Sequence, residues 1–358
     1  MYLLMLSYFR NICNGKSIFF SILIVVALIY EVEGKFSKCE KLIKSYHSQN
    51  TTRNNEYCNN DSIYDFNLIC NENYSNYIFK VCKEDLIRWY KKKKKNNDFD
   101  IENPKTYSEK IQWMKLYDNS SLKTQLSDKY LVRGWINEKI GEKYLIPLLG
   151  VWDSFDEINF DLLPDQFVLK ANHGSRFNII VKNKSTLNIE KTKKKMNKWM
   201  RINYAFSFGF EFQYLNIQPK IIAEKYIENI NGDVDDYKVF CFNGKAESIA
   251  VYSDRKTNVK MSFYDLNWNK LDYTSSYPLN KEMVPKPKNL KLLIELAEKL
   301  AEGFPHVRVD FYILNDNTIK FGEMTFSSSS GIGRWKPIQQ NKIFGDLIKL
   351  PPKKPFIL

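Results

Sequence analysis

A chain of 358 residues is long enough for one large domain or two ordinary ones, and 44% hydrophobic with 15% aromatic residues can bury a sizeable core, which excludes wholesale disorder. The formal net charge of +13 suits phosphates or an anionic surface. No nucleic-acid-binding motif and no zinc-finger spacing accompanies it, so nucleic acid is not an expected partner and most of the excess reads as surface lysine.

Ser17–Tyr30 (SIFFSILIVVALIY) is an unbroken, largely apolar run, with Arg10 and Lys16 before it and Glu31 and Glu33 after it. Basic residues ahead of such a run hold that end in the cytosol. The run is shorter than the roughly 20 residues of a spanning helix, so Met1–Phe9 and Asn11–Asn14 would have to lengthen it. Val32-Glu-Gly34 reads equally as a small-residue cleavage site. Residues 1–34 are therefore expected to be a signal peptide or a single-pass anchor, with membrane contact through residues 17–30 if uncleaved. The remainder is then expected in the secretory lumen or at the cell surface, membrane-anchored or secreted. A buried core helix is the competing reading.

Residues 35–100 read as a cysteine-containing stem with a lysine-rich linker. Cys39, Cys58, Cys70 and Cys82 are separated by 18, 11 and 11 residues, which matches no zinc site and suggests two disulfides with three possible pairings. Cys241, in a predicted strand, is expected to be a core residue, and Cys13 falls on the cytosolic side of the apolar run. Sequons at Asn50, Asn60, Asn73, Asn119 and Asn183 are glycosylatable in a lumen, but a chain so rich in asparagine generates them by chance. The lysine run Lys91–Lys95 is expected to be a solvated, mobile face.

From Asn103 the pattern changes. Pro104 precedes an amphipathic helix that Ser108 is expected to cap, with Ile111, Met114 and Leu116 inward. A second helix is expected over Asp128–Ile140. Phe167–Lys170 and Ile179–Lys182 read as strands around the turn His173–Asn178, and Asn188 as the cap of a helix reaching about Ala205. Ile221–Tyr226 is strand-like. Asp236–Phe242 and Lys245–Tyr252 flank Asn243-Gly244, the pair a type I′ hairpin turn requires. Asn289 is expected to cap a helix whose core face is Leu292, Leu293, Leu296 and Leu300 and which Gly303 ends. His306–Ile313 and Ile319–Thr325 form a second hairpin. This order suggests α+β layers.

The second hairpin carries the chemistry. Alternate strand residues share a face, so Val307, Val309 and Phe311 point one way and Arg308 and Asp310 the other, while Glu323 and Thr325 share a face of the partner strand. If the register allows, one surface displays a cation, two carboxylates and a hydroxyl. Such oxygens suit magnesium, which relies on waters and substrate phosphates, and an adjacent arginine can neutralise phosphate charge. A solvated face with a salt bridge is the competing reading. Lys170, at a strand end before Asn172-His-Gly-Ser175, fits a phosphate cradle. His173 is explained equally well by loop polarity.

The phrases NPKTYSEKIQWMKLYD, DKYLVR, YLIPLLGVWDSFDEI, FVLKANHGS, IIAEKYI, DYKVFCFNGK, FPHVRVDFY and FGEMTF, in that order, make residues 101–352 resemble the TupA-like ATP-grasp family, with 353–358 as a tail. The family includes proteins of bacterial cell-surface polymer synthesis, some of them labelled glycosyltransferase. The resemblance implies an ATP-grasp fold of two α+β subdomains clasping ATP. It implies that Lys129, with Arg133, is the first phosphate-binding cation, that Lys170 is the second, and that the loop with His173, Gly174 and Ser175 is the lid over the triphosphate. It places Glu224 and the backbone at Tyr226 and Ile227 at the hinge that reads adenine, and Glu228 at the ribose. Lys238 would face the phosphates, Asp310, Glu323 and Thr325 would hold Mg2+, and Arg308 would be the transition-state cation. Thr325 stands where many relatives have asparagine, and Ser327–Ser330 where a Pro-Gly pair is usual. The implied activity is ATP- and Mg-dependent activation of a carboxylate, or phosphorylation of a glycan hydroxyl, on a glycan or peptide-like acceptor. A glycosyltransferase and a nucleotide-binding pseudoenzyme are the alternatives.

Overall fold

The computed structural model describes residues 37–53, 64–227, 235–253 and 259–356. The apolar run Ser17–Tyr30, its cleavage site, Cys13, Cys58, Asn60 and Glu228 lie outside the described residues, as do the side chains of Asn50, Cys70 and Asn73. Among the described residues no helix is long and apolar enough to cross a membrane. The chain divides into two compact units, the first ending at Trp89 and the second running from Tyr90 to Ile357.

In the first unit, α1 (Lys38–Arg53) is tied to α2 (Tyr64–Lys94) by a Cys39–Cys82 disulfide. Leu42, Ile43, Ile78 and Leu86 are buried there, and the Cys39 N–H donates to Asp85 Oδ2 at 2.9 Å. Within the lysine run Lys92, Lys93 and Lys95 are exposed, as expected of a solvated face. Lys91–Lys94 form the last turn of α2, where cations complement the helix carbonyls, and Lys94 Nζ donates to Gly333 O at 3.1 Å.

The second unit opens with α3 (Tyr107–Tyr117). Thr106, not Ser108, caps it, in a reciprocal capping box with Glu109. Ser108 is buried one turn in, where its N–H and Oγ both donate to Asn341 Oδ1 at 3.0 Å. The helix expected over Asp128–Ile140 starts later, as α5 (Val132–Lys139), and a separate short helix, α4 (Ser121–Ser127), precedes it. Asp128 is the reason: its Oδ1 accepts from the N–H groups of Tyr130 and Leu131 at 2.7 and 3.1 Å, an alternative to continuous helix. The Asn119 sequon is buried, because Asn119 sits between α3 and α4.

A four-stranded antiparallel sheet follows in the order β1-β4-β2-β3, from β1 (Leu148–Trp152), β2 (Phe167–Ala171), β3 (Asn178–Val181) and β4 (Ile221–Lys225). Asn188 caps α6 (Ile189–Met200) by accepting from the Lys191 N–H, but the helix stops short of Ala205, where Asn203 caps a separate 3-10 turn. Phe167, Leu169, Ile221 and Ala223 pack with Met196 and Tyr204 as this sheet's core.

The larger sheet has the order β11-β10-β5-β6-β7-β8, from β5 (Asp235–Phe242), β6 (Lys245–Ser253), β7 (Lys260–Tyr264), β8 (Lys270–Leu271), β10 (His306–Ile313) and β11 (Ile319–Thr325). The short pair β9 (Thr274–Ser275) and β12 (Trp335–Lys336) forms a separate ladder that packs against it, Trp335 meeting Phe240 and Phe263. Both expected hairpins form. Asn243 and Gly244 have φ of 50° and 79°, the left-handed pair of a type I′ turn. Helix α7 (Leu290–Ala301) covers one face of the sheet, burying Leu290, Leu293, Leu296 and Leu300 against Val239, Ile249, Val307, Val309 and Phe311. Leu292 is exposed, contrary to expectation, and Asn289 stands at the N-cap position as expected but makes no side-chain capping bond: its Nδ2 donates to Asn317 O at 2.8 Å instead. Helix α8 (Gln339–Leu347) packs against α3. The core on one face of β5 and β10 leaves Lys238, Arg308 and Asp310 on the other.

Candidate nucleotide and metal site

The register of β10 with its neighbours sets the acidic half of the site. Arg308 lies opposite Thr325, Asp310 opposite Glu323 on one side, and Asp310 opposite Lys238 on the other. A bulge after Asp310 lets Phe311 and Phe321 enter the core while Glu323 faces Asp310. Arg308 grips Asp310 with two bonds, Nε to Oδ1 at 2.6 Å and Nη2 to Oδ2 at 2.8 Å. Its Nη2 also reaches Glu323 Oε1 and Thr325 Oγ1, each at 3.0 Å, and the Thr325 hydroxyl donates to Glu323 at 2.9 Å. Lys238 Nζ bridges Asp310 at 2.5 Å and Asp236 at 2.8 Å, and lies over the Tyr252 ring.

Burial and charge pull against each other here. Burial pushes the Asp310 carboxyl up, but Arg308 and Lys238 outweigh it and hold the group below the usual carboxylate range. Burial likewise lowers Lys238, but Asp236 and Asp310 more than reverse it. Asp310 is 2% exposed, whereas the Glu323 side chain is 37% exposed. Glu323 is thus the carboxylate that opens outward.

The basic half comes from the smaller sheet. Lys170, at the end of β2, pairs with Glu224 of β4 at 2.5 Å, and Arg133 of α5 reaches the other Glu224 oxygen at 3.1 Å. Glu224, expected at the hinge, therefore commits its carboxylate to two cations. Lys129 Nζ donates to Gly174 O, so it holds the turn after β2. Burial lowers the Lys129 amine, and the strongest opposing influence on it is Glu323; Glu323 also acts on Lys170, after burial, Glu224 and Tyr312. Lys129, in the loop between α4 and α5, and Lys170, on β2, thus both lie within electrostatic reach of Glu323 on β11.

The loop after β2 is pinned rather than catalytic in build. His173 has Nδ1 at 3.3 Å from Asn172 Oδ1 and Nε2 at 3.2 Å from Trp199 O, and burial lowers its pKa. A side chain at Gly174 would strike Tyr204 and Phe177. At the end of β4, the Tyr226 ring carries Lys182 Nζ at 5.2 Å, with Ile227 beside it. The structure also adds Asp236, Tyr252 and Ser328, whose Oγ accepts from Arg308 Nη1 at 3.3 Å. Asp236 shares a strand face with Lys238, so alternation would have exposed it; Ser328 leaves no pattern in the sequence.

Among the described residues no three His, Cys, Asp or Glu side chains converge to hold a metal by themselves. Asp310, Glu323 and Thr325 nevertheless fit Mg2+, a hard cation that draws its remaining ligands from water and phosphate oxygens.

The family model described as TupA-like ATPgrasp matches residues 109–349. No curated protein matches the chain at a significant level. Among solved structures, the chain is similar to an ADP complex of N5-carboxyaminoimidazole ribonucleotide synthetase (12% identity, 61% of this chain and 50% of that one, TM-score 0.39). It is similar also to D-alanine–D-alanine ligases from Coxiella burnetii (13%, 62% and 57%, 0.36) and, complexed with ATP, from Bacillus anthracis (18%, 62% and 65%, 0.35). It spans between half and two thirds of those chains. The extent of the family match, over two antiparallel sheets, means that the chain belongs to the TupA-like ATP-grasp family, whose fold binds ATP with Mg2+.

Proposed function

We propose that this protein is an ATP-dependent, ligase-like enzyme that activates a carboxylate on a glycan or peptide-like acceptor of a cell-surface polysaccharide or glycoconjugate. The observation that carries this reading is the cluster of Arg308, Asp310, Glu323 and Thr325 on the larger sheet, with Lys129 and Lys170 near enough to feel the Glu323 charge. Lys129, from the loop before α5, and Lys170, from the smaller sheet, bind and orient the triphosphate. Magnesium, when bound through Asp310, Glu323 and Thr325, neutralises phosphate charge. Arg308 and Lys238 then shift their contacts from Asp310 toward the phosphate oxygens and stabilise charge on the transferring group.

In this reading an acceptor carboxylate oxygen attacks the γ-phosphorus and the bond to the β–γ bridging oxygen breaks. The products are ADP and an acyl phosphate. An amine or other nucleophile next attacks the acyl carbon, loses its proton and expels inorganic phosphate. The alternative glycosyltransferase reading draws no support from Asp236, the last residue of the Asp233-Val-Asp-Asp236 run, because it is buried on β5 against Lys238. The Cys39–Cys82 disulfide supports an oxidising, secretory address.

The test is ADP release from MgATP over pools of carboxylate-bearing saccharides and amino acids labelled with 18O in the carboxylate. Appearance of 18O in the released phosphate is the expected result. Phosphate retained on a glycan hydroxyl would replace this reading with direct phosphorylation, and absence of any acceptor-dependent ADP would point to a binding-only protein.

A further inference from the structure

The loop Ser327–Gly331, which leaves β11 directly after the metal-site residues, takes an unusual course. Ser329, Ser330 and Gly331 have successive φ values of 50°, 51° and 69°. Serine enters the left-handed region only at a steric cost, so the surroundings must hold it there. Backbone bonds alone are few: Ser330 N–H donates to Ser327 O at 2.8 Å and Ile332 N–H to Ser329 O at 3.0 Å.

The holding group is Lys115, on α3. It is 4% exposed, and its Nζ donates to Gly209 O (2.7 Å), Ser330 O (2.8 Å), Ser330 Oγ (2.8 Å) and Gln112 Oε1 (3.0 Å). Gln112 Nε2 adds a second bond to Ser330 O at 3.1 Å. There is no room to relax around them, because a side chain at Gly331 would meet Gln112 Nε2 at 2.3 Å. Burying an ammonium among neutral oxygens costs far more than burying an apolar residue of similar length. Packing therefore does not explain it, whereas fixing oxygens in place does. Burial pulls the Lys115 amine down, with the buried Glu211 opposing it. Glu211 in turn accepts from Ser327 Oγ at 2.5 Å, and Gln213 Nε2 donates to that Oγ at 2.7 Å. One ammonium thus joins α3, the Gly209–Gln213 segment and the serine loop, and that loop presents Ser328 to Arg308.

We propose that Lys115 is a positioning residue: its bonds to Ser330 and Gly209 keep the serine loop in its left-handed course, and through Ser328 they aim Arg308 at the outer phosphates of ATP. The inference rests on the nucleotide-site reading above. The test compares MgATP and AMP binding to the full chain by titration calorimetry, in wild type, Lys115→Met, Ser328→Ala and the double variant. A residue acting through Arg308 affects the outer phosphates, which AMP lacks. Lys115→Met should weaken MgATP by about tenfold, the worth of one charge-assisted bond, and leave AMP within about twofold. Ser328→Ala should move MgATP in the same direction, and the double variant should be no weaker than Lys115→Met alone, because the two residues act in series.

Wild-type MgATP affinity in Lys115→Met, equal losses for ATP and AMP, or additive losses in the double variant would each overturn the proposal. Should Lys115→Met fail to fold, Ser330→Ala, which removes one of the four oxygens, is judged by the same ATP-against-AMP criterion. A wild-type chain that binds neither nucleotide would overturn the nucleotide reading itself, which is a distinct result.

Discussion

At Asp310 one buried carboxylate answers two buried cations, while Glu323, its cross-strand neighbour, faces outward. The two therefore differ in what their loss costs the fold. Asp310→Asn leaves Arg308 and Lys238 short of a counter-charge inside the protein and is expected to destabilise the fold by about 3–5 kcal/mol. Glu323→Gln, on a partly exposed group, is expected to change stability by less than about 1 kcal/mol while removing metal-dependent turnover. Chemical denaturation and an ADP-release assay on both variants check the pair; equal effects on stability would contradict this division. Arg308, Asp310, Glu323 and Thr325 were legible because a strand places alternate residues on one face, and the register supplied the rest. Glu224 was harder. The family resemblance implies a hinge there, but which cations it meets depends on α5 and β2 folding onto β4, and no local pattern encodes that.

Elements are locked together by a few buried polar contacts, and His306 is the clearest. It sits on β10, with Nδ1 at 2.8 Å from Cys241 O on β5 and Nε2 at 3.0 Å from the Tyr107 hydroxyl on α3. A carbonyl only accepts, so Nδ1 carries the proton and Nε2 accepts from tyrosine. Burial lowers this imidazole to about 3, against 6.5 unfolded. A depressed folded pKa gives stability that is present above the unfolded value and lost as pH falls from about 6.5 toward 3, where the unfolded chain takes a proton the folded one refuses. The loss reaches about 1.4 kcal/mol per pH unit within that window. His306→Gln should flatten this part of the stability profile relative to wild type, measured by urea unfolding between pH 7 and 4 (about the range these pKa values span); parallel profiles would contradict the assignment. Both hairpins were legible at this scale, Asn243-Gly244 most clearly. The break at Asp128 and the cap at Thr106 were not, because each turns on which of two nearby side chains wins the same backbone donors.

The whole molecule has one organising feature: Lys170 on the smaller sheet and Lys129 in the loop before α5 lie within electrostatic reach of Glu323, whose sheet carries Asp310, Arg308 and Lys238 beside it. Much of this was legible because the family phrases run in order along nearly the whole second unit. The serine loop was legible only as a departure from the family pattern. Its function depends on Lys115, which lies on α3 far away in sequence, and a charged residue on an amphipathic helix ordinarily signals solvent rather than a buried tie.

The account stands on the two sheets jointly holding a metal-bound triphosphate. Thermal unfolding of the full chain across a MgATP titration tests it most directly. The wild type should gain about 2.7 kcal/mol at a nucleotide concentration one hundredfold above Kd, and Lys170→Met should lose most of that gain. A melting temperature indifferent to MgATP, or an identical response from Lys170→Met, would contradict it.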